Sequence, residues 1–170
     1  MSERFTVGLI VENHHGVLNR IAGLYGKRCY NIDSLTVGET EDPRFSRMTI
    51  VSTGDDYIRS QTVKQLNKLQ DVKLAMLLPE AEALSVEHLM IKMRTNGGGN
   101  TELAALINDY GGKIVDLGEH FLTADLTGSP ERIQEFINKC LPLGILELCR
   151  SGSLSLSKGT EKVLSIEVFK

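Results

Sequence analysis

The sequence is poor in the residues that several functions require. Tryptophan is absent and aromatics make up only 5% of the 170 residues, which leaves little for a surface that stacks nucleic-acid bases. Neither sign of charge dominates: 19 Lys+Arg against 22 Asp+Glu gives a net charge of −3, so the chain has no electrostatic grip on nucleic acid or an anionic membrane. No apolar run approaches the ~20 residues that span a bilayer. No apolar signal core follows Met1-Ser2-Glu3-Arg4-Phe5. The three cysteines, Cys29, Cys140 and Cys149, cannot all pair within one chain and form no Cys-x-x-Cys, which points to reduced thiols in a soluble cytoplasmic protein.

Catalytic signatures are missing as well. Gly26-Lys27 and Gly112-Lys113 are followed by Arg28 and Ile114 rather than Ser or Thr, so there is no P-loop. Gly-x-Ser-x-Gly and His-Glu-x-x-His are absent. His14, His15, His88 and His120 show no ligand spacing with cysteine or acid. Asp55-Asp56 reads as a helix cap rather than an acid/base pair. No catalytic residue and no metal ligand is assigned.

What is present is an order of elements that occurs twice. Phe5 to Val11 reads as a strand by its apolar and β-branched content. Val17, Leu18, Ile21, Leu24 and Tyr25 then recur at helical spacing. Two alternating stretches, 31–39 and 47–53, flank the turn Glu41-Asp42-Pro43-Arg44. A helix with Val63, Leu66 and Leu69 on its stripe follows, then a strand from Val72 stopped by Pro79. After the connector 81–85 the order restarts: a strand over 86–94, and a helix with Leu103, Leu106, Ile107 and Tyr110 ended by Gly111-Gly112. Strands at 114–117 and 121–126 come next, then a helix opened by Ser129-Pro130 with Ile133, Phe136, Ile137 and Cys140 buried, and a strand at 145–149. The fold class is therefore α+β, with two ferredoxin-like βαββαβ units, each a four-stranded antiparallel sheet with two helices on one face. The expected domains are 1–80 and 81–170. A helix-free apolar face on each sheet calls for dimerisation or sheet packing. The alternating stretch Val163 to Phe169 reads as an extra edge strand. The run Gly97-Gly98-Gly99 before a helix resembles a phosphate loop only in part, lacking the lysine, and reads as a strand–helix turn.

The same βαββαβ order occurs in RNA-binding modules, but the third strand of the first unit, Arg47 to Ser52, has no aromatic, and its counterpart offers only Phe121. The junction Glu12-Asn13-His14-His15-Gly16-Val17-Leu18 is the place best suited to a small ligand. A helix start presents unpaired N–H groups to a carboxylate, Gly16 removes the Cβ that would stand in its way, and Asn13 offers a donor and an acceptor. The same residues also suit an ordinary helix-entry turn.

Glu12-Asn13-x-x-Gly16-Val17-Leu18-x-Arg20, Arg28-x-Tyr30-Asn31-Ile32-x-Ser34-Leu35-Thr36-Val37-Gly38 and Ser46-Arg47-Met48-Thr49 together resemble the regulatory small subunit of acetolactate synthase (acetohydroxyacid synthase). The likeness continues through Gln65-Leu66-x-Lys68-Leu69-x-Asp71-Val72, Gly111 to Asp116 and Arg150-Ser151-Gly152. It implies an N-terminal ACT domain and a protein without catalysis of its own. Such a protein would bind the catalytic large subunit, raise its activity and confer feedback inhibition by valine, or by leucine or isoleucine, in branched-chain amino-acid synthesis. Thiamine diphosphate, magnesium and, in some members, FAD would belong to the large subunit, with no cofactor in this one. The effector would lie between two small subunits of a homodimer, on Asn13, His14, His15, Gly16, Val17 and Leu18 with Asn31 and Ile32. A free-standing ACT-type amino-acid sensor is the alternative. Cys29 stands where that family carries glycine, which either alters the turn before Asn31 or is tolerated through a negative φ.

Overall fold

The structure, a computed structural model, describes residues 3–96, 101–159 and 164–169. It forms two compact units, one of residues up to Ser85 joined by those from Ser153 onward, the other Val86–Gly152. Against the expected division at residue 80, the first unit runs on to Ser85, and the tail groups with it rather than with the second.

In the first unit β1 (Glu3–Glu12), α1 (Val17–Lys27), β2 (Ser34–Glu39), β3 (Phe45–Gly54), α2 (Asp56–Leu66) and β4 (Val72–Leu77) follow one another. The antiparallel sheet has the order β2-β3-β1-β4. Alternation along β1 sends Val7, Leu9 and Val11 to the helix side, where they pack with Ile21 and Tyr25 of α1, Leu66 of α2 and Ile50 of β3. Asp55 caps α2, its side chain accepting from the Ile58 amide at 2.8 Å. The end of α1 is a Schellman turn. The Tyr30 amide donates to Tyr25 O at 3.0 Å and the Cys29 amide to Gly26 O at 3.1 Å, with Cys29 left-handed at φ 56. The rings of Tyr25 and Tyr30 meet edge-on, 6.3 Å apart, across that turn.

The helix-free face of this sheet is covered around Ile10 and Phe45 by Leu164, Ile166 and Phe169. A Cβ on Gly8 would lie 3.0 Å from the side chains of Leu164 and Leu78, so glycine is what lets the tail settle there. Arg47 holds it, donating from Nη1 to Leu164 O at 3.0 Å and from Nη2 to Ser155 O at 2.7 Å. The edge strand expected over 163–169 is not found. Ile166–Phe169 is a 3-10 turn, and Val163 lies outside the described residues. Arg47 takes the Leu164 carbonyl that a strand partner would need. The extra strand is instead β9 (Leu154–Ser157), which pairs with β5 (Ala83–Arg94), and there Ser85 Oγ and Ser155 Oγ stand 2.8 Å apart.

The second unit continues with α3 (Thr101–Asp109), β6 (Lys113–Leu117), β7 (Phe121–Gly128), α4 (Pro130–Cys140) and β8 (Ile145–Arg150), in the sheet order β6-β7-β5-β8. Leu89, Ile91 and Met93 form the floor of its core under Leu103, Ile107, Ile133, Phe136 and Cys140. Ser129 caps α4 by accepting from the Arg132 amide, with Pro130 first in the helix. The end of α3 repeats the end of α1: Gly112 N–H reaches Ile107 O, Gly111 N–H reaches Asn108 O, and Gly111 has φ 73. Buried Glu87 accepts from two nitrogens of Arg150, which also donates to Gln134 on α4. The run Gly97–Gly99 lies outside the described residues.

The two units match bond for bond at one corner. Glu12 N–H donates to Asp71 O at 2.9 Å and Asn13 N–H to Arg44 O at 2.7 Å; Arg94 N–H donates to Gly144 O at 3.0 Å and Thr95 N–H to His120 O at 2.8 Å. Both sheets also carry a bulge there, skipping Lys73 opposite Ile10/Val11 and Leu146 opposite Lys92/Met93.

Candidate functional site

The start of α1 differs from the capped starts of α2 and α4. Its N-cap is Gly16 at φ 88, with no side-chain cap and no acidic residue in the first turn. The first amides of the helix therefore have no side chain to accept from them, at the end where the helix dipole is positive. A Cβ placed on Gly16 meets nothing within 4 Å, so the space above those amides is open.

The residues before Gly16 are held in place by long-range contacts. Asn13 Nδ2 donates to Glu39 Oε1 at 3.0 Å and to Pro43 O at 2.9 Å, pinning the loop to the β2–β3 turn. His14 Nδ1 lies 2.9 Å from His15 O, while Nε2 lies 3.2 Å from Glu12 Oε2 and 3.3 Å from Asp71 Oδ1. The other oxygen of each carboxylate is also engaged: Lys73 contacts Glu12 Oε1, and Arg20 contacts Asp71 Oδ2. Lys73 sits at the bulge, which turns it toward Glu12. Asp71 is buried, with 7% of its side chain exposed.

Lys73, and His14 after it, hold the Glu12 carboxyl below its ordinary range. The hydrogen bond to His15 O, reinforced by Glu12 and Asp71, raises His14 above the ordinary histidine value against the opposing effect of burial. Glu12, His14 and Asp71 bring ligand-type atoms within 4.8 Å of one another, a cluster no spacing in the sequence announces. All four carboxylate oxygens already face cationic or imidazole donors, so the cluster is a mixed-charge network rather than an acidic cage.

Of the other expected site residues, Val17 turns its side chain into the core and offers only its backbone, and Leu18 is exposed. His15 is exposed, its ring edge-on to His14 at 6.0 Å. Asn31 and Ile32 lie beyond the far end of α1. Asn31 is exposed and donates to Asp33, and Ile32 packs on the first core. The 11 residues of α1 put about 16 Å of helix between Gly16 and that end, so one chain does not bring Asn31 to the loop. An open cleft of about 580 Å³ beside the loop is lined by Glu12, Asn13, His14, Arg44, Lys73 and Phe45, with Phe169 from the tail. Sequence reasoning missed Asp71, Lys73 and the role of Glu12. Asp71 stood in the quoted motif, but its partners are 51 and 57 residues away.

Tandem ferredoxin-like units, the first closing on an uncapped glycine-led helix, define the class of protein: an α+β protein with an N-terminal ACT domain. Residues 7–73 match the family described as the AHAS small subunit-like ACT domain, and residues 86–159 that described as the small subunit of acetolactate synthase. The probable acetolactate synthase small subunit of Methanothermobacter thermautotrophicus is 39% identical over 91% of this chain and 92% of its own length. The acetolactate synthase small subunit of Haemophilus influenzae is 37% identical over 95% and 99%. The crystal structure of the acetolactate synthase small subunit from Thermotoga maritima superposes with a TM-score of 0.86 at 29% identity, over 93% of this chain and 99% of that one. The chain belongs to the acetolactate synthase small-subunit family. No helix among the described residues is long and apolar enough to cross a membrane.

Proposed function

We propose that this protein is the regulatory subunit of an acetolactate synthase. It binds the thiamine-diphosphate-dependent catalytic large subunit, raises its activity and confers feedback inhibition by valine, with leucine and isoleucine as weaker or alternative effectors. It carries out no chemistry itself. Thiamine diphosphate, magnesium and any FAD belong to the partner, and the complex works in the cytoplasm. The observation that carries the effector site is the bare start of α1 at Gly16. There the valine carboxylate accepts from backbone amides, as anions do at helix starts. Asn31 of a second copy receives the ammonium, because in its own chain α1 holds it a helix length away. A site assembled from two chains couples binding to their relative placement, which is how an effector shifts a population of states. Selectivity among branched side chains is graded, one methylene being worth ~1–3 kcal/mol.

The test is titration calorimetry with valine, with aspartate as control, followed by reconstitution with the large subunit. Valine binds near one per chain, aspartate does not, and activation of the large subunit becomes valine-sensitive. Gly16→Asp stays folded, at a cost of about 1–2 kcal/mol for a side chain at positive φ, and loses valine. Asn31→Ala weakens valine about tenfold, a loss of ~1.4 kcal/mol, and still activates. Valine binding with no effect on the large subunit would indicate a free-standing sensor. Undiminished affinity in folded Gly16→Asp would remove the site from α1.

A further inference from the structure

We infer that His14 is held as an imidazolium by the acceptors around both of its nitrogens, and that this charge is a proton-controlled part of the effector site, so that affinity for an amino-acid carboxylate falls as His14 deprotonates. The second half rests on the effector reading of the α1 start given above.

The geometry argues for the charge directly. Nδ1 faces the His15 carbonyl oxygen at 2.9 Å, an atom that only accepts, so Nδ1 carries a proton. Nε2 stands 3.2 Å from Glu12 Oε2 and 3.3 Å from Asp71 Oδ1, carboxylate oxygens whose partner oxygens already meet Lys73 and Arg20, so Nε2 carries a proton too. Either neutral tautomer would point a lone pair at an acceptor. The same contacts raise the proton affinity of the ring.

The surrounding charges leave His14 decisive. Glu12 and Asp71 are balanced by Lys73 and Arg20. At the β2–β3 turn Arg44 pairs with Asp42, and Glu39 accepts from Asn13. Of the groups at this loop only His14 and the neighbouring His15 belong to the residue type that changes charge near neutral pH, and His14 alone is tied into the network. It lies two residues before Gly16, on the cleft that Glu12, Asn13 and Lys73 also line.

The fold itself does not require the network. The second unit makes the matching backbone bonds at the same corner with Arg94, Asn96 and Gly144 at the places of Glu12, His14 and Asp71. Two carboxylates, a histidine and two cations at the first corner are therefore an addition to a set of backbone bonds that the second unit makes without them.

The sign follows from the direction of the shift. His14 titrates above its ordinary value of ~6.5, so its charge is complete below that pH and is lost as pH rises through the raised value. Free valine keeps both of its own charges across the window. Valine affinity should fall about three- to tenfold between about pH 6 and pH 8.5. The experiment is valine calorimetry across that range on the wild-type protein, His14→Gln and His15→Gln, with NMR titration of the histidine rings. His14→Gln is expected to bind weakly with no pH dependence. His15→Gln should keep the slope, and Asp71→Asn should lower the pH at which the His14 ring titrates. The inference is overturned by a His14 ring that titrates at or below the ordinary value, or by a slope that survives in His14→Gln. Absence of valine binding at every pH would overturn the effector reading and the pH-controlled affinity with it, while the ring titration would still decide the imidazolium.

Discussion

Cys29 occupies the position that glycine fills at the end of α3. Both helices end with the same pair of reversed hydrogen bonds, and the residue between them is left-handed, at φ 56 for Cys29 and φ 73 for Gly111. A side chain in that region costs about 1–2 kcal/mol, against roughly 0.5–1 kcal/mol that glycine loses through its freer unfolded chain. Cys29→Gly should therefore stabilise the protein by about 0.5–1 kcal/mol, and β-branched Cys29→Val should destabilise it by about 1–2 kcal/mol, read from denaturant midpoints at unchanged slope. The sequence marks Cys29 as unusual but leaves the sign of φ open. That sign is fixed by Tyr30 reaching back to the Tyr25 carbonyl and by the two rings meeting across the turn. The network around His14 was hidden for a related reason. Glu12 and His14 are neighbours in sequence, but Asp71 arrives through sheet pairing, and a bulge that no local pattern announces aims Lys73.

At the scale of elements, the caps and stripes were legible because each is a local device: Asp55 and Ser129 cap the helices they precede, and Gly111 ends α3. The tail was not. The alternation of Leu164 and Ile166 correctly places both side chains on an apolar surface, but a period of two reports facing, not the presence of a partner strand. Here the surface is the bare side of the first sheet, and the chain above it curls into a 3-10 turn. Arg47, held among apolar neighbours that lower its proton affinity, joins the tail by two donors to two carbonyls. Thr36 and Ser34 add contacts to Ser153. Lysine cannot make the fork. Arg47→Lys should raise amide exchange over 153–159 and 164–169 by an amount equivalent to about 1–3 kcal/mol, while exchange of the α1 and β1 core amides stays within a few tenths. Equal loss of protection in core and tail would show that Arg47 supports the whole unit.

For the molecule as a whole, the repetition of one plan leaves the differences informative. The second unit keeps the strand order, the bulge and the helix-end turn, and replaces the charged corner with Arg94 and Gly144. Gly144 has φ 87, where an aspartate would be strained, so the carboxylate hub of the first corner has no ready seat in the second. Sequence periodicity showed the two units clearly, because apolar spacing is repeated in both. It could not show which of them carries the charged corner, because that difference lies in a few polar residues brought together from distant strands.

The length of α1 has a genetic consequence. Gly16 and Asn31 stand at opposite ends of 11 helical residues, so a site that needs both takes one from each chain. Two alleles, one defective at Gly16 and the other at Asn31, should then complement. Mixed at equal amounts and free to exchange, half of the pairs are hybrids, and each hybrid carries one site with neither defect, so about a quarter of all sites recover. Either defective protein alone recovers none, and feedback sensitivity would return only in the cell that makes both.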